Sequence, residues 1–229
     1  MRILPYNGTI GKVYNLAQRT NFAPKTQICA QEMKSLVNRL KTIEKSIVGG
    51  SNEVLYVLDR DGNVVLDGLK GNANGVDKPV GIKYSDFQGC IATHNHPTNN
   101  SFSFQDIKFA NESKLQEIRA VCPDVVHSMK FNGKHFNCDD LEENAYDIQK
   151  RIQSELLEQH EKIANEKWPC ALNGALDPAN RDQWMQNYTQ KQIYMSSAKD
   201  EVNKTLIYRV IDELSKVNGW TYKSVAQEK

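Results

Sequence analysis

The sequence predicts an α/β or α+β sandwich followed by a helical extension, and three observations carry that prediction. Glu53-Val54-Leu55-Tyr56-Val57-Leu58, then Asp61-Gly62-Asn63, then Val64-Val65-Leu66 reads as strand, tight turn and strand. One helical segment precedes these strands and another falls among those that follow, so both element types share one core. From Asp139 onward the texture changes to long apolar stripes at helical spacing.

In chain order, the first ~25 residues are polar, carry Pro5, Gly8, Gly11 and Pro24, and read as an arm. Met33, Leu36, Leu40, Ile43 and Ile47 recur every three or four residues and predict an amphipathic helix that Gly49-Gly50 ends. The hairpin follows. Gly68 to Gly75 reads as a flexible loop without the spacing of a phosphate cradle, and Val80-Gly81-Ile82 as a short strand. Gly89 to His96 alternates as a strand should and stops at Pro97; a helix begins at Ser103. Ile118–Val121 and Val125–Phe131 read as strands, with Asn132-Gly133 turning into Lys134–Asn137 as another. Leu141, Ala145, Ile148, Ile152, Leu156 and Ile163 mark one long helix, and Val202, Leu206, Val210, Ile211, Leu214 and Val217 a final one that stops at Asn218-Gly219. Trp168 to Asp182 separates them. The predicted organisation is an arm over 1–27, a mixed domain over 28–138 and a helical extension over 139–229, whose apolar stripes form intramolecular core or an oligomer interface.

Lys plus Arg number 29 against 28 Asp plus Glu, a net charge of +1, which gives no global reason to expect a nucleic-acid or membrane-surface partner. The five cysteines, Cys29, Cys90, Cys122, Cys138 and Cys170, are odd in number and lack C-x-x-C spacing, as expected of reduced thiols in a cytoplasmic protein. No apolar run approaches the ~18 residues of a membrane span.

One stretch could do chemistry: Thr93-His94-Asn95-His96-Pro97, then Ser103-Phe104-Gln105-Asp106. On a strand, residues i and i+2 face one side, so His94 and His96 present both imidazoles together at the strand's end. Asp106, near the first turn of the next helix, can swing back toward them. Two His and a carboxylate with an open fourth position suit catalytic zinc, which lowers the pKa of bound water to about 7. Glu53, at a strand start, is a candidate general base. Ser103-x-x-Asp106 also reads as a capping box, and the two readings are compatible. Cys90 lies on the strand leading to His94, but four strand residues is ~13 Å, too far for a nucleophilic pair. His127 and His135 either flank the metal site or are ordinary strand residues, the second being the favoured reading, and Lys108, Lys114 and Arg119 read as a solvated helix face.

Together these residues resemble the JAB/MPN (JAMM) metalloprotease family, whose pattern is an upstream Glu, His-x-His-Pro, then Ser-x-x-Asp. The RadC-like branch is the most similar, through Glu53–Asp59, the Asp61-Gly62-Asn63 turn and Ala92–Pro97; the resemblance covers about residues 53 to 133. It implies a β-sheet sandwiched by helices and a zinc ion on His94, His96 and Asp106. It further implies a zinc-bound water attacking an amide carbonyl, with Glu53 as general base and Ser103 helping to stabilise the oxyanion. The implied substrate is a protein or peptide, including isopeptide conjugates of ubiquitin-like modifiers. The sequence departs from the pattern in several places. Six residues separate His96 from Ser103, one fewer than is common; Pro97-Thr98-Asn99 replaces Pro-Ser-Gly; and Val126-His127 stands where the RadC-like branch has Asp-His. The Ser101–Ile107 loop and Gly219-Trp220-Thr221-Tyr222 resemble variants encoded by phages and mobile elements, some attached to head-morphogenesis proteins. Two alternatives therefore stand beside the hydrolase. One is a structural or assembly protein of a phage or mobile element, acting in the host cytoplasm or virion through its C-terminal helices. The other is a RadC-like DNA-associated factor, which the balanced charge disfavours.

Overall fold

The computed structural model describes residues 30–73, 75–76, 81–170 and 179–227, with side chains from residue 35 onward. The expected arm over 1–27 and Cys29 lie outside them. The described chain forms two compact units, one of residues up to Leu141 together with Ser215 onward, the other Glu142–Leu214.

In the first unit, α1 (Ala30–Ile47) places Leu36, Leu40, Ile43 and Ile47 in one buried stripe against Leu58, Ile91 and Val121. Burying each is worth up to about 1.5–3 kcal/mol. β1 (Val54–Leu58) and β2 (Val64–Lys70) are the predicted hairpin. Asp59 closes the turn, its carboxylate accepting from the backbone N–H groups of Asp61 and Asn63 at 3.0 and 2.9 Å. β2 extends beyond the predicted Leu66 because Gly68, at φ +60°, absorbs a register shift. A Cβ there would lie 2.9 Å from the Tyr56 hydroxyl. A single 3₁₀ turn, Tyr84–Phe87, precedes β3 (Ile91–Asn95). Gly81 and Ile82 are not in a strand, contrary to the short strand expected over Val80–Ile82; Val80 itself lies outside the described residues.

α2 (Phe104–Glu112) then crosses over to β4 (Glu117–Val121), which pairs parallel to β3, and β5 (Val125–Lys130) follows antiparallel. A parallel pair requires such a crossover. The strand expected over Lys134–Asn137 is irregular. Its backbone pairs with a side chain instead: the Asn111 amide donates to Phe136 O at 2.8 Å and its carbonyl accepts from Phe136 N at 2.9 Å. The place beside β5 goes to β6 (Thr221–Ala226), from the far end of the chain. The sheet order is β2-β1-β3-β4-β5-β6, antiparallel except for β3–β4. The region predicted as helical over 139–229 is thus helical only to Asn218, and its last residues rejoin the first unit as a strand.

The two sheet faces differ in chemistry. Thr93 and Arg119 lie on the α1 side, where Arg119 pairs with Glu44 and Glu117. Arg119 is therefore a strand residue in an ion-pair network, not part of a solvated helix face. The opposite face carries the row Leu55–His94–Ala120–His127 across β1, β3, β4 and β5.

The second unit consists of most of α3 (Cys138–Lys167) and α4 (Arg181–Asn218). The helices run antiparallel, as Arg151–Glu213, His160–Tyr194 and Asn165–Lys191 contacts require. Ile152, Leu156 and Ala164 are buried, as are Ala198, Val202 and Leu206. From Ile148 the buried positions of α3 keep a four-residue spacing (Ile148, Ile152, Leu156, then Ala164), which leaves Ile163 exposed and puts Ala164 in its place; Val217 of α4 is exposed as well, both contrary to the predicted stripes. Among the described residues, no helix is long and apolar enough to cross a membrane.

Candidate metal centre

All five residues of β3 are buried, and its ladder continues one step further, His96 N donating to Val121 O at 2.9 Å, before Pro97 ends it. The alternation therefore places His94 and His96 on one face, their rings 4.7 Å apart and their Nε2 atoms 2.9 Å apart. Asn95 points the other way. Its amide carbonyl accepts from Val54 N at 2.8 Å, and its NH₂ donates to Asn52 O at 3.0 Å and Gly50 O at 3.3 Å. Asn95 thus pins the loop that delivers Glu53 to the site. Asn95→Ala would leave several backbone groups unpaired and is expected to cost about 2–4 kcal/mol in chemical denaturation; an unchanged midpoint would contradict this role.

Asp106 arrives from the N-terminus of α2. Ser103 caps that helix, its hydroxyl accepting from Asp106 N at 3.2 Å, and Ser103 N donates to Asp106 Oδ2 at 2.7 Å. The predicted capping box is therefore real, and it aims the carboxylate: Oδ1 lies 3.4 Å from His94 Nε2 and Oδ2 3.5 Å from His96 Nε2. The Ser103 hydroxyl also donates to Asp106 Oδ2 at 2.7 Å, so it holds a ligand candidate rather than facing open space. Glu53 is buried, anchored by backbone hydrogen bonds to Gly71 and Asn72, with Oε1 3.9 Å from His96 Nε2.

Glu53, His94 and His96 each offer a ligand atom, all within 4.8 Å of one another, so this buried group could hold a metal ion. His94 Nε2 and His96 Nε2 stand 2.9 Å apart, near the ~3.3 Å between ligand atoms ~2.05 Å from a tetrahedral zinc. Asp106 approaches the same two nitrogens through different oxygens, Oδ1 3.4 Å from His94 Nε2 and Oδ2 3.5 Å from His96 Nε2, and Glu53 Oε1 stands 3.9 Å from His96 Nε2. His96 Nδ1 donates to Asn100 O at 2.9 Å, which leaves Nε2 as the coordinating nitrogen.

The electrostatics follow from the burial. Desolvation pushes Glu53 up to about 7, with His96 opposing and Asp106 adding to the rise. Burial brings His94 down to about 4, so its imidazole is neutral near pH 7. His96 is also desolvated, but hydrogen bonds to Asp106, Cys122 and Asn100 outweigh this and raise it to about 10. Asp106 is held well below the usual carboxylate range by the two imidazoles and Ser103, despite its burial. A metal ion arriving at pH 7 must therefore displace the His96 proton. Apparent affinity is expected to rise about tenfold per pH unit between about 7 and 9, with about one proton released per ion. Calorimetry in buffers of different ionisation enthalpy checks this, and a pH-independent affinity would contradict it.

The loop after Pro97 is fastened by side chains that the sequence reading passed over. Asn99 and Asp124 exchange two hydrogen bonds, and the Ser101 hydroxyl pairs with Tyr222 of β6 at 2.8 Å. His127 bonds Ser224 and Tyr222 at 2.8 and 3.0 Å, as a structural residue would. His135 lies over Phe131 outside the strands, contrary to the strand position expected. Neither His127 nor His135 belongs to the metal-competent group. Cys90, Cys122, Cys138 and Cys170 form no disulfide among the described residues. The site opens into a cleft of about 610 Å³ lined by Glu53, His94, His96, Ser103 and Asp106 together with residues of β1, β2 and α2. No protein family, curated protein or solved structure matches this chain.

Proposed function

We propose that the protein is a zinc-dependent amide hydrolase of the JAB/JAMM type, acting on a peptide or isopeptide bond. The observation that supports this most is the convergence of His94 and His96, their Nε2 atoms 2.9 Å apart, with a carboxylate oxygen of Asp106 within 3.5 Å of each and Glu53 3.9 Å from His96, at the wall of an accessible cleft. His94, His96 and Asp106 would hold the ion. Zinc bound there would act as a Lewis acid, activating water and polarising the scissile carbonyl.

The chain's own residues supply the rest. Glu53, raised to about 7, can accept and return a proton near neutral pH, which suits a general base. Asn95 fixes the approach of Glu53, and Asn100 fixes the ring of His96. Ser103 orients Asp106 and caps α2; stabilising an oxyanion would require its hydroxyl to leave Asp106. The direct test is a peptide-library cleavage assay on zinc-loaded chain. Cleavage that a chelator stops supports the proposal, and a zinc-loaded chain that cleaves nothing would overturn it.

The assembly reading draws its support from the second unit. Tyr146, Ile163, Met185, Tyr188 and Ile193 expose between 43% and 59% of their surface on its two helices. Exposed apolar groups of this kind suit a protein partner. The two readings are compatible, since they use different units.

A further inference from the structure

The cleft beside the candidate metal centre has a chemistry of its own. Leu55 on β1 stands directly opposite His94 in the sheet. Phe109 stands one helical turn beyond Asp106 on α2, so the two share a helix face. Tyr84 and Phe87, from the 3₁₀ turn, meet Phe109 edge-on, with ring centroids 5.6 and 6.2 Å from it. Leu66 and Ile118 also line the space. An apolar wall therefore begins next to the ligand candidates on both the sheet side and the helix side.

Charge narrows what can fill it. Among the described residues that line the cleft, Glu53 and Asp106 carry the only formal charges besides the two imidazoles. A divalent cation would neutralise those two carboxylates. Among those described lining residues there is no Lys or Arg for an acidic group and no further carboxylate for a basic one.

Resting on the proposed hydrolase reading, we infer that the substrate carries a bulky, uncharged apolar side chain on a residue flanking the scissile amide, seated against Tyr84, Phe87 and Phe109. The position follows from reach. Successive Cα atoms are about 3.8 Å apart, so a wall that begins one helical turn from Asp106 meets a flanking residue, not a distant one. A Gly-Gly tail would leave this wall bare.

The test uses the full chain loaded with cobalt(II), whose absorption reports hydroxamate binding. Phenylacetohydroxamate is expected to bind at least ~30-fold tighter than acetohydroxamate, from the apolar surface it buries. Succinyl monohydroxamate, which carries a carboxylate, is expected to show no such gain. Phe109→Ala and Tyr84→Ala should each shrink the phenyl-to-methyl ratio, a readout that a general loss of folded protein does not move. Equal affinities, or a ratio untouched by both variants, would overturn the inference. A metal-free arm separates this from the hydrolase reading: N-acetylphenylalaninamide, but not N-acetylglycinamide, should shift the NMR methyl signals of Leu55, Leu66 and Ile118. Absence of those shifts overturns the inference whether or not metal binds. Shifts without cobalt binding count against the hydrolase, and so against a scissile amide, while the apolar seat at Tyr84, Phe87 and Phe109 stands.

Discussion

His94→Ala and His96→Ala are each expected to lower zinc affinity well beyond the 10–100-fold that loss of an outer-shell partner costs. Each removes one of two Nε2 donors that stand 2.9 Å apart and face Asp106. Each variant leaves the ion with one imidazole in place of two. Binding to the folded state alone stabilises it, by about 2.7 kcal/mol at a hundred times the dissociation constant. Zinc should therefore raise the unfolding midpoint of the unaltered chain and leave that of either variant where it was. Asp106→Asn is the companion variant, because it keeps the side-chain shape and the capping geometry of Ser103 while weakening the third donor. Zinc that stabilises all four proteins alike would place the ion elsewhere.

Glu53→Gln is expected to lower the cleavage rate by about 10²–10⁴, the usual worth of a positioned general base, while zinc affinity stays within about tenfold. The separation matters because Glu53 can be read in two ways. Its carboxylate belongs to the group that could hold a metal, yet it stands 3.9 Å from His96, farther than Asp106 stands from either imidazole. Its pKa, raised to about 7, gives it a proton to exchange in the neutral range, and glutamine has none. A variant that loses both zinc and activity would make Glu53 a ligand; one that keeps full activity would remove it from the chemistry.

Local rules made the centre of the site legible. Strand alternation alone places His94 beside His96, and Ser103-x-x-Asp106 satisfies the capping rule and ligand placement together. The hairpin and the α1 stripe were legible for the same reason, being set by neighbours within a few residues. What was hidden depends on distant partners. Lys134–Asn137 has strand-like composition, but Asn111 satisfies its backbone, and β6 takes the sheet edge from nearly a hundred residues away. Asn95 looks like a spacer between two histidines; that its amide holds the Glu53 loop follows only once β1 and β3 are paired. Ile163 looks like the next step of the α3 stripe, yet Ala164 takes the buried place, which the composition of α3 alone does not reveal.

The proposed hydrolase holds one zinc ion on His94, His96 and Asp106. A zinc-edge anomalous difference map from crystals of the zinc-loaded chain tests this directly. A single strong peak is expected within about 2.0–2.2 Å of His94 Nε2, His96 Nε2 and an Asp106 carboxylate oxygen. A map with no peak there, or with its peak on other side chains, would contradict it.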